Sequence, residues 1–160
     1  MKISSKDKKT QELHKVYTSE NPEQASAIYD SWSENYEEHM SGVGYTHPAM
    51  VASMLSRHQP VSKAPVLDAG TGTGIMGEIL TALGYSSVFG FDASEGMLER
   101  AAAKDIYEDL RSGRLGEPLG YADDQFAASV AAGVFTQGHA PLDGLDELVR
   151  VTRPGGHIVF

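Results

Sequence analysis

The chain has 160 residues, 41% apolar and 22% charged, with no cysteine and a net charge of −9. That length and composition suit one globular domain with a real core. They exclude a disulfide scaffold, thiolate metal sites and any apolar run long enough to span a bilayer, and so acidic a chain repels phosphate backbones, against a nucleic-acid partner.

Residues 1–20 begin MKISSKDKKTQELHK, polar and without the apolar stretch of a signal peptide; they read as a flexible tail on a cytoplasmic protein. From 22 to 40, Ala25, Ile28, Trp32, Tyr36 and Met40 recur at helical steps and predict one amphipathic helix. Gly42 and Gly44 break it. Pro48 suits the first turn of a second helix over 47–58, with Met50, Val51, Met54 and Leu55 on its inner side.

At Pro65 the pattern changes. VLDAG (66–70) reads as a short buried strand running into a tight turn, and residues 74–83 return to helical spacing until Gly84. VFGFD (88–92) is a second strand, and Ser94 can cap a third helix through Met97, Leu98 and Ala101. A weaker strand is expected near Leu110, beside the poor strand formers Arg111, Ser112 and Gly113. AASVAAGVF (127–135) predicts a better one. Leu142, Leu145, Leu148 and Val149 mark another helix, stopped by Pro154-Gly155-Gly156, and HIVF (157–160) opens a last strand. Such alternation implies a parallel sheet with helices on both faces and right-handed crossovers, binding ligands at the carboxyl ends of its strands.

The stretch DAGTGTGIMG (68–77) lies at that end of the first strand and fits two templates. Gly72-x-Gly74-x-x-Gly77 has dinucleotide spacing; Asp68-x-Gly70-x-Gly72-x-Gly74 has that of a loop for S-adenosylmethionine. Glycines let the backbone turn and let a ligand approach, and the next helix offers unpaired N–H groups to a phosphate or a carboxylate alike. Asp92 follows Gly72 by twenty residues and can accept from a ribose diol, a use common to both ligand classes. Two features favour the second template. Asp68 opposes a pyrophosphate but suits an ammonium and a sulfonium, and a helical segment precedes the first strand, whereas dinucleotide folds usually open with it.

VLDAGTGTG (66–74), VFGFDASEGMLERA (88–101) and ELVRVTRPGGHIVF (147–160) together resemble class I S-adenosylmethionine-dependent methyltransferases, and more closely the small-molecule-type subgroup that includes the Williams–Beuren-region methyltransferase-like proteins. The similarity runs from about Tyr29 onward. It implies a Rossmann-like α/β fold with a helical segment over 21–62 and a cofactor-binding core over 63–160. It also implies S-adenosylmethionine as cofactor, with Asp68, Gly70, Thr71, Gly72 and Gly74 around the methionine end. Asp92 would take the ribose hydroxyls, with Ala93 and Met97 by the adenine. YDSWSENYEEHM (29–40) and GYTHP (44–48) resemble family segments that put Tyr36 over the cofactor and Tyr45 near the methionine end; Trp32 reads as core.

Two departures stand out. Arg114 occupies the usual place of an aspartate that recognises the adenine amino group; arginine has no acceptor, so it could only stack, leaving Leu115 N–H to meet a ring nitrogen. The family sheet has seven strands and this sequence reaches the fifth, so a C-terminally truncated chain is expected, with self-association through the strand-five edge. Methyl transfer needs a nucleophile held about 3 Å from the methyl and, where a proton must leave, a base. His139, in FTQGHAP (135–141), is the candidate. His39, His47 and His58 lack metal-ligand spacing, and no metal is expected. The expected acceptor is a small molecule. The alternatives are an NAD(P)-dependent oxidoreductase and a non-catalytic cofactor-binding or oligomerising fragment.

Overall fold

The computed structural model describes residue 11 and residues 14–19, 21–136 and 140–160. Most of the expected N-terminal tail and His139 lie outside the described residues. In chain order the elements are α1 (Pro22–Trp32), a 3-10 turn (Ser33–Asn35), α2 (Tyr36–Gly42), α3 (His47–His58), β1 (Val66–Ala69), α4 (Ile75–Ala82), β2 (Val88–Asp92), α5 (Glu95–Ala102), β3 (Asp109–Ser112), β4 (Phe126–Val130), α6 (Gly144–Val151) and β5 (Thr152–Val159). Five parallel strands form one sheet in the order β3-β2-β1-β4-β5. The order reverses direction at β1, so the carboxyl ends of β1 and β4 border a crevice.

The pleat of β1 divides the core. Val66 faces Val51, Ala52 and Leu55 of α3 and Met76 and Leu80 of α4. Leu67 and Ala69 face the other way, toward Phe91, Phe126 and, from α6, Leu148 and Val151. A strand buried on both faces reads as an unbroken apolar run, as VLDA and FAASV nearly do. Asp68 and Ser129 are the exceptions, and both are hydrogen-bonded.

The expected single helix over 22–40 is two helices. Asn21 caps α1 by accepting from Gln24 N at 2.9 Å, a contact worth about 1 kcal/mol. At the far end Ser33 Oγ donates to Asp30 O and Trp32 Nε1 donates to His39 Nδ1 at 2.6 Å, across the 3-10 turn. The inner side of α3 is also narrower than its periodicity suggests: Met50 and Met54 are 64% and 50% exposed, while Val51, Ala52 and Leu55 are buried.

Strand β3 forms despite weak propensity because its side chains are tied. Arg111 lies 4.2 Å over the Tyr121 ring and donates to Gly120 O at 2.8 Å. Two boundaries differ from the sequence reading. β4 ends at Val130, and the chain then turns through Gly133 at φ +73. Pro154-Gly155-Gly156 do not stop a helix before a strand; they lie within β5. Thr152 pairs with Phe126 and His157 with Ala128, so the intervening residues bulge opposite Ala127. Among the described residues, no helix is long and apolar enough to cross a membrane.

Candidate functional site

One cavity opens at the carboxyl ends of β1, β2 and β4 and is roofed by α1 and the chain around Tyr36 and Tyr45. Its floor is the loop after β1. Gly70, Gly72 and Gly74 all have positive φ, at +73, +52 and +91, a region open to glycine and costly for most other residues. The three differ in what surrounds them. A Cβ on Gly70 would stand 2.6 Å from Val134 Cγ2, and one on Gly74 would stand 3.2 Å from Ala101 Cα. A Cβ on Gly72 would meet nothing within 4 Å. Gly72 is therefore bare backbone facing open cavity.

Asp92, at the end of β2, reaches this floor. Its Oδ2 accepts from Gly72 N at 2.8 Å and its Oδ1 from Ser94 N at 2.9 Å. Burial pushes its pKa up, and the backbone N–H groups of Ser94, Gly72 and Ala93 pull it back. Each oxygen keeps a lone pair for a ligand hydroxyl. Ala93, Met97 and Leu115 supply apolar wall beside it.

Of the sequence-predicted residues, Tyr36, Tyr45, Gly70, Gly72, Asp92, Ala93, Met97 and Leu115 line the cavity. Asp68, Thr71 and Gly74 do not. Asp68 is buried beneath the loop, accepting from Tyr107 Oη at 2.8 Å, and burial raises its pKa to about 7. The methyl of Thr71 packs against Gly90, and Gly74 heads α4 against α5. Asp68, expected at the methionine end, is thus not among the side chains that line the cavity. Gly77, the last glycine of the dinucleotide spacing, lies against Tyr107.

The roof is tyrosine-rich. Tyr36 stands edge-on to Trp32 at 4.9 Å, and Tyr29 stacks on the same indole at 6.1 Å. Trp32 itself is core, 3% exposed. Tyr45 Oη donates to Ala132 O at 3.2 Å and is hydrogen-bonded to Tyr36; desolvation pushes its pKa up to about 12. These phenols stay neutral near pH 7 and offer hydroxyls and ring faces.

Two features escaped the sequence reading, and a third, Arg114, is engaged differently from the stacking expected of it. Tyr29, Ala25 and Ser26 of α1 line the cavity. Asp30 docks α1 onto α5, accepting from Ser94 Oγ at 2.5 Å and Gly96 N at 3.0 Å. Arg114 does line the cavity, but its guanidinium is engaged by Glu23 Oε1 at 3.1 Å and Ser26 Oγ at 3.2 Å, so it ties α1 to the chain after β3. The signal for Asp30 was present in YDSWS, an acid on the polar side of an amphipathic helix; its partner was not visible locally.

Residues 67–160 match a family model described as a methyltransferase domain. Methyltransferase-like protein 27 of Homo sapiens is 34% identical over 132 residues, covering 81% of this chain and 54% of its own length. Demethylmenaquinone methyltransferase of Clavibacter sepedonicus is 35% identical over 148 residues, covering 89% and 59%. Among solved structures, a TehB-like SAM-dependent methyltransferase from Corynebacterium glutamicum superposes with a TM-score of 0.61 at 25% identity, covering 81% of this chain and 73% of that one. The chain spans little more than half the length of the curated relatives it matches.

Proposed function

This chain belongs to the methyltransferase domain family, and on that footing we propose that its cavity holds S-adenosylmethionine for methyl transfer to a small-molecule acceptor. S-adenosylmethionine is the cofactor that the family and the TehB-like structure support. The observation that carries the reading is the meeting of Asp92 with Gly72 on the cavity wall: a diol acceptor stands beside bare backbone with open space above it. A Cβ at Gly72 would fill the place where a ligand must approach.

In this reading Asp92 takes the ribose hydroxyls on its free lone pairs. Ala93, Met97 and Leu115 enclose the adenine, and Leu115 N–H meets a ring nitrogen. Gly70 and Gly72 admit the methionine end, while Asp68, Thr71 and Gly74 support the loop from beneath. Tyr36 and Tyr45 close the roof and exclude water. When bound, S-adenosylmethionine supplies an electrophilic methyl group on a sulfonium. The residues of the chain orient it and hold the acceptor in line. His139, which follows β4 in the sequence, is the proposed proton acceptor for a nucleophile that must lose a proton.

A small acceptor is supported by the enclosed, aromatic roof, and one relative is named for demethylmenaquinone. The net charge of −9 supports a partner other than nucleic acid, and the lack of cysteine suits a cytoplasmic setting. Isothermal calorimetry tests the reading. S-adenosylmethionine and S-adenosylhomocysteine are expected to bind with micromolar affinity and NAD not at all; binding of NAD alone would overturn it. Binding with no turnover of any acceptor would reduce the proposal to cofactor capture.

A further inference from the structure

Asp68 has a partner whose route to it is unusual. Tyr107 comes from the segment between α5 and β3, and its Oη donates to Asp68 Oδ2 at 2.8 Å. Two glycines clear the way for that ring. A Cβ on Gly77 would stand 2.4 Å from Tyr107 Oη, and one on Gly90 would stand 3.1 Å from Tyr107 Cε1 and 2.3 Å from Thr71 Cγ2. Neither glycine has positive φ, so backbone conformation does not call for glycine at either place. Gly77 sits inside α4 and Gly90 inside β2, where glycine weakens helix and strand alike. The space they leave is what requires them.

We propose that Tyr107 is a positioning residue: through Asp68 it sets how strongly the cavity prefers a cationic sulfonium ligand to the neutral thioether that remains after methyl loss. The inference rests on the S-adenosylmethionine reading above. The charged and titratable groups around Asp68 come from every side of it. They are Asp92 on β2, Tyr45 ahead of α3 with His47 edge-on against it at 5.3 Å, and Glu78 on α4, which acts on Tyr107. Its neighbour on β4, Val130, is uncharged. Burial and Asp92 favour the protonated acid, and the Tyr107 hydrogen bond favours the carboxylate. A protonated Asp68 gives a cation above the loop nothing; an ionised one attracts it through a dry interior. A bound sulfonium adds to the ammonium that both ligands carry in favouring ionisation, so its binding releases more proton than thioether binding does.

S-adenosylmethionine and S-adenosylhomocysteine share adenosine, ammonium and carboxylate, so the ratio of their affinities isolates the sulfonium. The experiment is calorimetry of both ligands from pH 5.5 to 7.5, in two buffers of different ionisation enthalpy. It compares the unsubstituted chain with Tyr107→Phe, Gly77→Ala and Asp68→Asn. In the unsubstituted chain the preference for the sulfonium is expected to rise with pH, by up to about ten-fold for a one-unit fall in the pKa of Asp68, with more proton released on sulfonium binding than on thioether binding. In Tyr107→Phe and Gly77→Ala the rise moves to higher pH, and in Asp68→Asn the ratio is flat. A flat ratio in the unsubstituted chain with both ligands bound would overturn the inference and leave the cofactor reading intact. So would a Tyr107→Phe profile that matches the unsubstituted one. Failure of both ligands to bind would overturn the reading and the inference together. If Tyr107→Phe does not fold, the Asp68→Asn profile decides: a pH-dependent ratio there sinks the proposal.

Discussion

Asp92 and Asp68 are both buried carboxyls, and they differ in what answers them. Asp92 is met by two backbone N–H groups, and Asp68 by a phenol. Asp92→Asn keeps the shape but must point an NH2 group at one of those N–H donors. With the loss of charge-assisted bonds to a ligand, worth about 1.5–3 kcal/mol each, affinity for S-adenosylmethionine should fall about ten- to a hundred-fold, as calorimetry would record. Asp68 makes a stability prediction with the opposite sign from most acids. Its folded pKa is raised to about 7 from 3.8, so its contribution is fully present below the unfolded value and is lost as pH rises through 7. The unfolding temperature of Asp68→Asn should therefore change less between pH 4 and 7 than that of the unsubstituted chain, measured by scanning calorimetry. Glu147 behaves the usual way. The fork from Arg150 Nε and Nη2 holds it down at about 2, so its contribution is present above 4.5 and lost only as pH falls toward 2. Through Leu119 N and Tyr121 O this pair also pins the chain leading into β4 to α6.

At the scale of elements, the roof is only as firm as the contacts that dock α1. Asp30 supplies two of them, closing the amino end of α5 from another helix. Asp30→Ala should destabilise the fold by about 1–2 kcal/mol, read as a lower midpoint in urea, and should weaken ligand binding because Tyr29 and Ser26 ride on the same helix. The unit β1–α4–β2–α5 was legible in the sequence: glycines punctuated it, apolar spacing switched between strand and helix period, and Ser94 announced its cap, accepting from Met97 N at 3.1 Å. What was not legible depended on partners far along the chain. The break between α1 and α2 hangs on Trp32 and His39, β3 on Arg111 and Tyr121, and the bulge in β5 on the register with β4. The inward face of α3 was misjudged because methionine counts as apolar in a periodicity yet sits half in solvent here. Of the cavity-lining residues expected from the sequence, Gly70, Gly72 and Asp92 came from the spacing of the glycine loop and the acid after it, and Tyr36, Tyr45, Ala93, Met97 and Leu115 from the family resemblance, whereas Tyr107 carried no local signal; only the two glycines that give it room did.

Taken whole, the molecule sets its open crevice at the reversal of strand order, and among the described residues β3 and β5 are the outermost strands. β5 pairs only with β4 among the described residues, and its last residues lead to Phe160, 64% exposed and 5.0 Å from Phe135. Within these 160 residues, an edge with apolar ends can pair with another strand. Size-exclusion chromatography across a hundred-fold range of concentration should show elution moving toward larger species; a constant monomer volume would count against edge association. The roof has a further consequence. Trp32 is the one tryptophan of the 160 residues, shielded from water and in ring contact with Tyr36, which borders the cavity. The molecule thus carries its own fluorophore one aromatic ring away from its ligand space, and filling that space should alter indole emission in intensity or wavelength. Occupancy could then be followed in real time, label-free, before any acceptor is known.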